Sequence, residues 1–281
     1  MFPVISFILQ IPGDDLIRLV ASDIDGTLLP SGETVLSPSL FPLIRSLREQ
    51  GILFCSASGR QFHSQRALFA SVADELYYLC ENGAAVFGPG SENSAPLLSK
   101  SVMPRSMALE LIQDILALPG CFPLITGVNT GYLCDPDPSF LRLMTENKHY
   151  RIRTLRSPEE LPEDPVKIAA YCPAGSLTAE KAFRPYWDHR LHVAVSGEEW
   201  LDFTLTDKGE GLQALCRRLE ITPDQVLAIG DNWNDLSMLS FAGHPRLMAS
   251  ADRGLSLLFP HCCRSVPDLL RELLTDPSPA F

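Results

Sequence analysis

At 281 residues the chain suits one large domain or two medium ones and can enclose a substantial core. Hydrophobic residues at 46%, charged residues at 20% and aromatics at 8% place it among globular rather than disordered chains. The net charge of -11, from 34 acidic and 23 basic residues, argues against nucleic acid or an anionic membrane as partner, since both require a basic face.

The first residues, MFPVISFILQIPGDD, are apolar but lack a basic segment and a small-residue cleavage site, so they do not read as a signal peptide. No apolar run reaches the ~18 residues a membrane helix requires, and the expected location is cytoplasmic. Leu16, Ile17, Leu19 and Val20 form a short buried strand that empties into Asp23 and Asp25. The strand period of two puts both aspartates on the same side. Like charges crowded into a poorly solvated site call for a shared proton or a cation between them. Alone, such a pair reads as loop aspartates capping the next element, so its company decides.

Ser39 can cap a helix with Leu40, Leu43, Ile44 and Leu47 on one face, Pro42 in its first turn and Gly51 as its stop. A second apolar run, Ile52 to Cys55, leads into SASGR, and a third, Leu76 to Cys80, leads into ENGA. Strand, polar loop, helix, strand is the rhythm of a parallel sheet with crossover helices, whose ligands gather at the carboxyl ends of the strands. From Gly88 the stretch GPGSENSAP has the chemistry of a linker and suggests a domain boundary. Up to about residue 205, helices at Met107 to Leu118, Ser139 to Asn147 and Thr178 to Trp187 are interspersed with short hairpin strands. That mixture indicates an inserted α+β domain.

The first rhythm then returns. Asp207 and Glu210 fit a capping box opening a helix with Leu212, Leu215, Cys216 and Leu219 on one face. A strand from Gln225 to Ile229 runs into GDNWND, and helices follow at Leu236 to Phe241 and Asp268 to Leu274. The eight cysteines show no C-x-x-C pair and no metal-finger spacing, and are expected as buried free thiols in a reducing compartment.

Four loops thus carry D-x-D-G-T (23 to 27), S-G-R (58 to 60), a lysine (Lys208) and G-D-N-x-N-D (230 to 235). A phosphate monoester set among Asp23, Asp231 and Asp235 brings the site to about -5, and one Mg2+ with the lysine returns it to about -2. Carboxylate oxygens suit Mg2+. Lys208 stands in the first turn of its helix, where the dipole disfavours a cation by roughly 0.3 to 1 kcal/mol unless an anion binds beside it. Ser58 can donate its hydroxyl to phosphate, and Gly59 lets backbone amides approach it.

DIDGTLL, SGR, ENGA, the lysine-glycine pair and GDNWNDLSML together resemble the four motifs of the haloacid dehalogenase superfamily, specifically its Cof-type phosphatases with a large α/β cap inserted after the third strand. The resemblance implies an α/β fold, a doubly wound, mostly parallel Rossmann-like core formed by residues 1–87 and 206–281, and an α+β cap formed by 88–205. It implies that Asp23 attacks phosphorus and that Asp25 protonates the leaving oxygen, its pKa lifted by burial and neighbouring carboxylates. Thr27 would hold the loop that orients Asp25. Ser58 and Lys208 would bind the phosphoryl group with support from Asn234, and Asn82 would meet the leaving group. Asp23, the Asp25 carbonyl, Asp231 and Asp235 would hold Mg2+ or lie against it. The expected partner is a small phosphorylated metabolite, a sugar phosphate foremost, and the chain a monomer or weak homodimer. A sugar phosphomutase of the same architecture and a noncatalytic regulatory protein on this scaffold are the alternatives. Near the end the chain departs from the family pattern: LMASADRGLSLLFPHCC replaces a glycine-asparagine-alanine segment, with Ser250 about where the asparagine would stand.

Overall fold

Alternation in the apolar runs is what builds the first layer. In the computed structural model, which describes residues 16–147 and 150–276, the first strand is β1 (Leu19–Asp23). Val20 faces one hydrophobic cluster, whereas Leu19 and Ala21 face another. The same split recurs in β12 (Val226–Gly230), where Leu227 and Ile229 join the first cluster and Val226 and Ala228 the second. A sheet covered on both faces is the consequence. The reading of the opening residues as something other than a signal peptide concerns positions outside the described residues.

Chain order supplies the rest. After β1 come α1 (Leu40–Glu49), β2 (Leu53–Ala57), α2 (Phe62–Leu68), β3 (Tyr77–Cys80), β4 (Ala85–Phe87) and β5 (Leu97–Lys100). Then α3 (Arg105–Ala117), β6 (Phe122–Thr126), β7 (Gly131–Cys134), α4 (Pro138–Arg142), β8 (Ile152–Leu155), β9 (Lys167–Tyr171), α5 (Ser176–Trp187), β10 (His192–Gly197) and β11 (Trp200–Thr204) follow. The chain closes with α6 (Lys208–Leu219), β12, α7 (Leu236–Phe241), β13 (His244–Met248), α8 (Arg253–Ser256), β14 (Cys262–Cys263) and α9 (Val266–Thr275). Among the described residues the first sheet has eight strands in the order β14-β13-β12-β1-β2-β3-β4-β5, parallel as far as β3 and antiparallel at the β4 and β5 edge. The second has six in the order β10-β11-β9-β6-β7-β8.

Three expectations change. The stretch beginning at Gly88 is a hairpin connection rather than the passage between the two sheets, because β5 pairs with β4; the chain crosses to the second sheet after Lys100. Ser39 does stand at the N-cap of α1, yet its hydroxyl meets that of Ser37 at 2.9 Å and makes no cap bond. Cys121 and Cys172 are joined as a disulfide, where eight free thiols were expected. They stand one position beyond the cross-strand pair Phe122 and Tyr171, which brings them face to face.

The second sheet also buries two faces. One packs on α3 and α5 through Ile112, Ile115, Phe183 and Trp187. The other carries Leu124, Leu133 and Ala169, with Phe140 of α4 packed on them, and is turned toward the carboxyl ends of β1, β2 and β3. A cavity of about 730 Å3 lies between.

Candidate active site

Asp23 at the end of β1 and Asn232 and Asn234 beyond β12 line that cavity, and the start of α6 reaches Asp23 through Lys208. Asp23 is the last residue of β1 and is buried. Beyond it the chain turns through Gly26 at φ +93°, where a Cβ would stand 2.2 Å from Asp231 Oδ2. No other residue fits that close approach. Lys208, the first residue of α6, is 0% exposed and bridges two carboxylates: its Nζ donates to Asp23 Oδ1 at 2.5 Å and to Asp235 Oδ1 at 2.6 Å. Asp207 caps the helix by accepting from the Glu210 amide at 2.9 Å.

Asp235 does a second job with its other oxygen. Oδ2 accepts the backbone N–H groups of Asp231 at 2.9 Å and Asn232 at 3.1 Å, folding the GDNWND loop back on itself. Asp231 Oδ1 accepts from Thr27 Oγ1 at 2.9 Å. Thr27 therefore orients Asp231, whereas the expectation had it serving Asp25. One oxygen each of Asp23, Asp231 and Asp235 fall within 4.8 Å of one another. Three carboxylates against one ammonium leave a formal charge of about -2 in a buried volume, and such a donor set of oxygens fits a divalent cation of the Mg2+ kind.

The electrostatics express the same imbalance. Burial raises the Asp23 pKa well above the usual carboxylate value, with Asp235 and Asp231 adding to the rise and Lys208 opposing it. Burial also raises Asp231, against the Thr27 hydrogen bond. For Lys208, burial pulls the pKa down, but Asp23 and Asp235 more than reverse this and it ends raised.

Asp25 departs most from expectation. The strand ends at Asp23, so the period of two does not carry Asp25 into the acidic cluster. Its side chain is 54% exposed, and both its oxygens accept from Arg60, Oδ2 from Nε at 2.8 Å and Oδ1 from Nη2 at 2.5 Å. Burial among carboxylates, the anticipated environment, is absent for this residue. Both Asp23 and Asp25 nonetheless line the cavity.

Ser58, Gly59, Asn82 and Asn234 line it too. Ser58 is buried, its Oγ accepting the Arg60 amide at 3.2 Å. A Cβ on Gly59 would stand 3.2 Å from Asn82 Oδ1, so the glycine admits the asparagine against the S-G-R loop. Asn82 sits at φ +55° in the ENG turn and donates Nδ2 to Asp202 Oδ2 at 2.9 Å. Ser250 lies exposed in the turn after β13.

Lys167 and Asp202, from the second sheet, escaped the sequence reading. Lys167 is 3% exposed, and its Nζ contacts Gly59 O at 2.9 Å, Glu81 Oε2 at 2.6 Å and Asp202 Oδ2 at 3.5 Å. A signal was available: a lysine opening the otherwise apolar strand KIAAY and an aspartate inside WLDFT both break a buried pattern. No helix among the described residues is long and apolar enough to cross a membrane.

Comparison with known proteins speaks to the family and the fold. A model of the haloacid dehalogenase-like hydrolases matches residues 20–268. The 5-amino-6-(5-phospho-D-ribitylamino)uracil phosphatase YbjI of Escherichia coli is 24% identical over 245 residues, spanning 84% of this chain and 86% of that protein. A crystal structure from Eubacterium rectale superposes with a TM-score of 0.79 at 27% identity, covering 93% of this chain and 100% of its own. A subclass IIB sugar phosphatase superposes with a TM-score of 0.75 over 91% of this chain and 98% of that one, where 17% identity makes the likeness one of fold.

Proposed function

The chain belongs to the haloacid dehalogenase-like hydrolase family, of the Cof type, and from that premise we propose that it is a Mg2+-dependent phosphatase of small phosphorylated metabolites, sugar phosphates foremost. The observation that carries the reading is the buried bridge Asp23–Lys208–Asp235 with Asp231 beside it.

In this reading Asp23 is the nucleophile. One of its oxygens forms a bond to phosphorus as the bond from phosphorus to the leaving oxygen breaks, giving an aspartyl-phosphate. Lys208 holds Asp23 in the attacking position and faces the phosphoryl charge, which Ser58 and the amides of the 58–60 loop also receive. Asp25 gives the leaving oxygen its proton and later takes one from the water that attacks phosphorus, restoring the Asp23 carboxylate and freeing inorganic phosphate. For this, the substrate must displace Arg60 from at least one Asp25 oxygen. Asp23, Asp231 and Asp235 would hold Mg2+, with Thr27 fixing Asp231. The ion would supply neutralising charge at the transferring phosphoryl group. The six-stranded sheet acts as a cap that closes the cavity over the substrate and excludes water.

The test is phosphate release from an aryl phosphate and a panel of phosphorylated metabolites. The wild-type chain should turn over with Mg2+ and stop when chelator removes it, and Asp23→Asn should lose about a thousand-fold or more. Full turnover by Asp23→Asn, or activity indifferent to chelator, would sink the proposal.

A further inference from the structure

The cavity wall opposite the acidic cluster is made by β9 and β11. They pair antiparallel, with Asp202 opposite Ala169 and Thr204 opposite Lys167. The strand period puts Trp200, Asp202 and Thr204 on one face of β11, and Lys167 and Ala169 on the same face of β9. Of these, Lys167, Ala169, Trp200 and Asp202 line the cavity, and Asn82 joins them from the core side.

The charged donor of this wall is spent inside the protein. The Lys167 ammonium has three hydrogens and meets three acceptors, Gly59 O, Glu81 Oε2 and Asp202 Oδ2. Asn82 Nδ2 donates to the same Asp202 oxygen. Beside these donors stand acceptors. Asn82 is 6% exposed, and its Oδ1 has no hydrogen-bond partner among the described residues. The second oxygen of Asp202 is left for a ligand. Flipping the Asn82 amide would set its oxygen against the Asp202 carboxylate, so the present orientation is the one the charges favour. Two carboxylates, Asp202 and Glu81, oppose one ammonium, and the wall keeps a formal negative charge.

A buried acceptor without a donor costs free energy that a ligand hydroxyl can return, and a negative wall repels a ligand carboxylate. We infer that Asp202 and Asn82, held in place by Lys167, are the specificity-determining residues of the cavity and select a leaving group that carries hydroxyl donors, as in a phosphorylated polyol or sugar, over one that carries a carboxylate. This rests on the phosphatase reading and assigns the part of the substrate that the catalytic loops do not touch. Asn82 abuts Gly59 and so places the subsite directly beside the phosphoryl loop.

The experiment compares kcat/KM of the full chain with Mg2+ on three probes: p-nitrophenyl phosphate, which has no hydroxyls on its leaving group, ribose 5-phosphate and phosphoglycolate. Wild type should prefer the sugar phosphate to phosphoglycolate by about 10-fold or more, the range of one hydrogen bond to a charged acceptor. Asp202→Asn keeps the shape but removes the charge, and Asn82→Gly removes the unpartnered acceptor while suiting the left-handed backbone. Each should lower the ratio of sugar phosphate to aryl phosphate by about 10-fold, through KM, with Asp202→Asn also relaxing the rejection of phosphoglycolate. Ratios that stay within about twofold in both variants, or a wild-type preference for phosphoglycolate, overturn the inference while leaving the phosphatase reading intact. Failure of wild type to release phosphate from any probe overturns that reading and the inference with it.

Discussion

Lys208 shows how a single side chain can be out of place by one rule and indispensable by another. At the head of α6 the helix dipole opposes it by roughly 0.3 to 1 kcal/mol, and complete burial opposes it more strongly. Two carboxylates at 2.5 and 2.6 Å are the compensation. Asp23 and Asp231 carry the reverse imbalance, and their raised pKa values make a stability prediction. A carboxyl whose folded pKa is raised binds more protons folded than unfolded, so its ionisation weakens the fold as pH climbs from the ordinary carboxylate range through the raised value. Metal-free protein should therefore melt higher at pH 5 than at pH 7, and Mg2+ should flatten that slope. Carboxylates lowered by partners, such as Glu92 beside Arg151, act below pH 5 and leave this window alone. A slope unchanged in Asp23→Asn would refute the assignment. Thr27 makes a second residue-scale prediction. Removing its hydroxyl in Thr27→Val leaves Asp231 free to turn, and the Mg2+ concentration for half activity should rise by about 10- to 100-fold, read from a Mg2+ titration. Sequence order could bring Thr27 into the loop but could not choose between carboxylates 2 and 204 positions away. The four motif loops were legible because each breaks an apolar run with residues that make sense only together; the Arg60 grip on Asp25 was not, since nothing along the chain sets two half-exposed side chains in register.

At the scale of elements, β1, β2, β3 and β12 announce themselves as apolar runs that end in polar loops, and α1 as a face of Leu40, Ile44 and Leu47. The β4 and β5 hairpin did not, because Gly, Pro, Ser and Asn serve a linker and a turn with the same chemistry. Strand order in the second sheet was equally hidden, and with it the meeting of Lys167 on β9 with Glu81 and Asp202. That meeting has an energetic consequence. Lys167→Met would leave two carboxylates buried without a counter-ion, at a cost of about 3–5 kcal/mol. Urea unfolding should show that loss, and adding Glu81→Gln to Lys167→Met should recover part of it, because the two sites share one interaction. Burial already raises the Glu81 pKa against the pull of Lys167, so the double variant removes a group that is costly to keep ionised. Equal and additive losses would mean that the ammonium is not what holds this corner together.

The described residues form two sheets, each with hydrophobic clusters of its own, joined where the chain crosses after β5 and again before α6. We propose on this basis that they are separate cooperative units, the eight-stranded one carrying the acidic cluster and the six-stranded one the specificity wall. Units with private cores respond privately to agents that touch one of them. The Cys121–Cys172 disulfide lies within the six-stranded sheet, and opening it frees a constraint there that is typically worth about 2–4 kcal/mol. Mg2+ acts on the loops after β1 and β12. Hydrogen exchange followed along the chain should separate the two: a reductant should speed exchange in β6, β9 and β11 and leave β1, β2 and β12 protected, whereas Mg2+ should slow exchange around 23–27 and 230–235 with little change in β6 or β9. The Lys167 bridge is one link through which each unit would feel the other, beside the Asn82–Asp202 hydrogen bond, so in Lys167→Met the two responses should become more independent. Reductant-induced loss of protection spreading evenly through both sheets would show instead that the molecule opens as one body, and that the wall and the phosphoryl site cannot be moved apart.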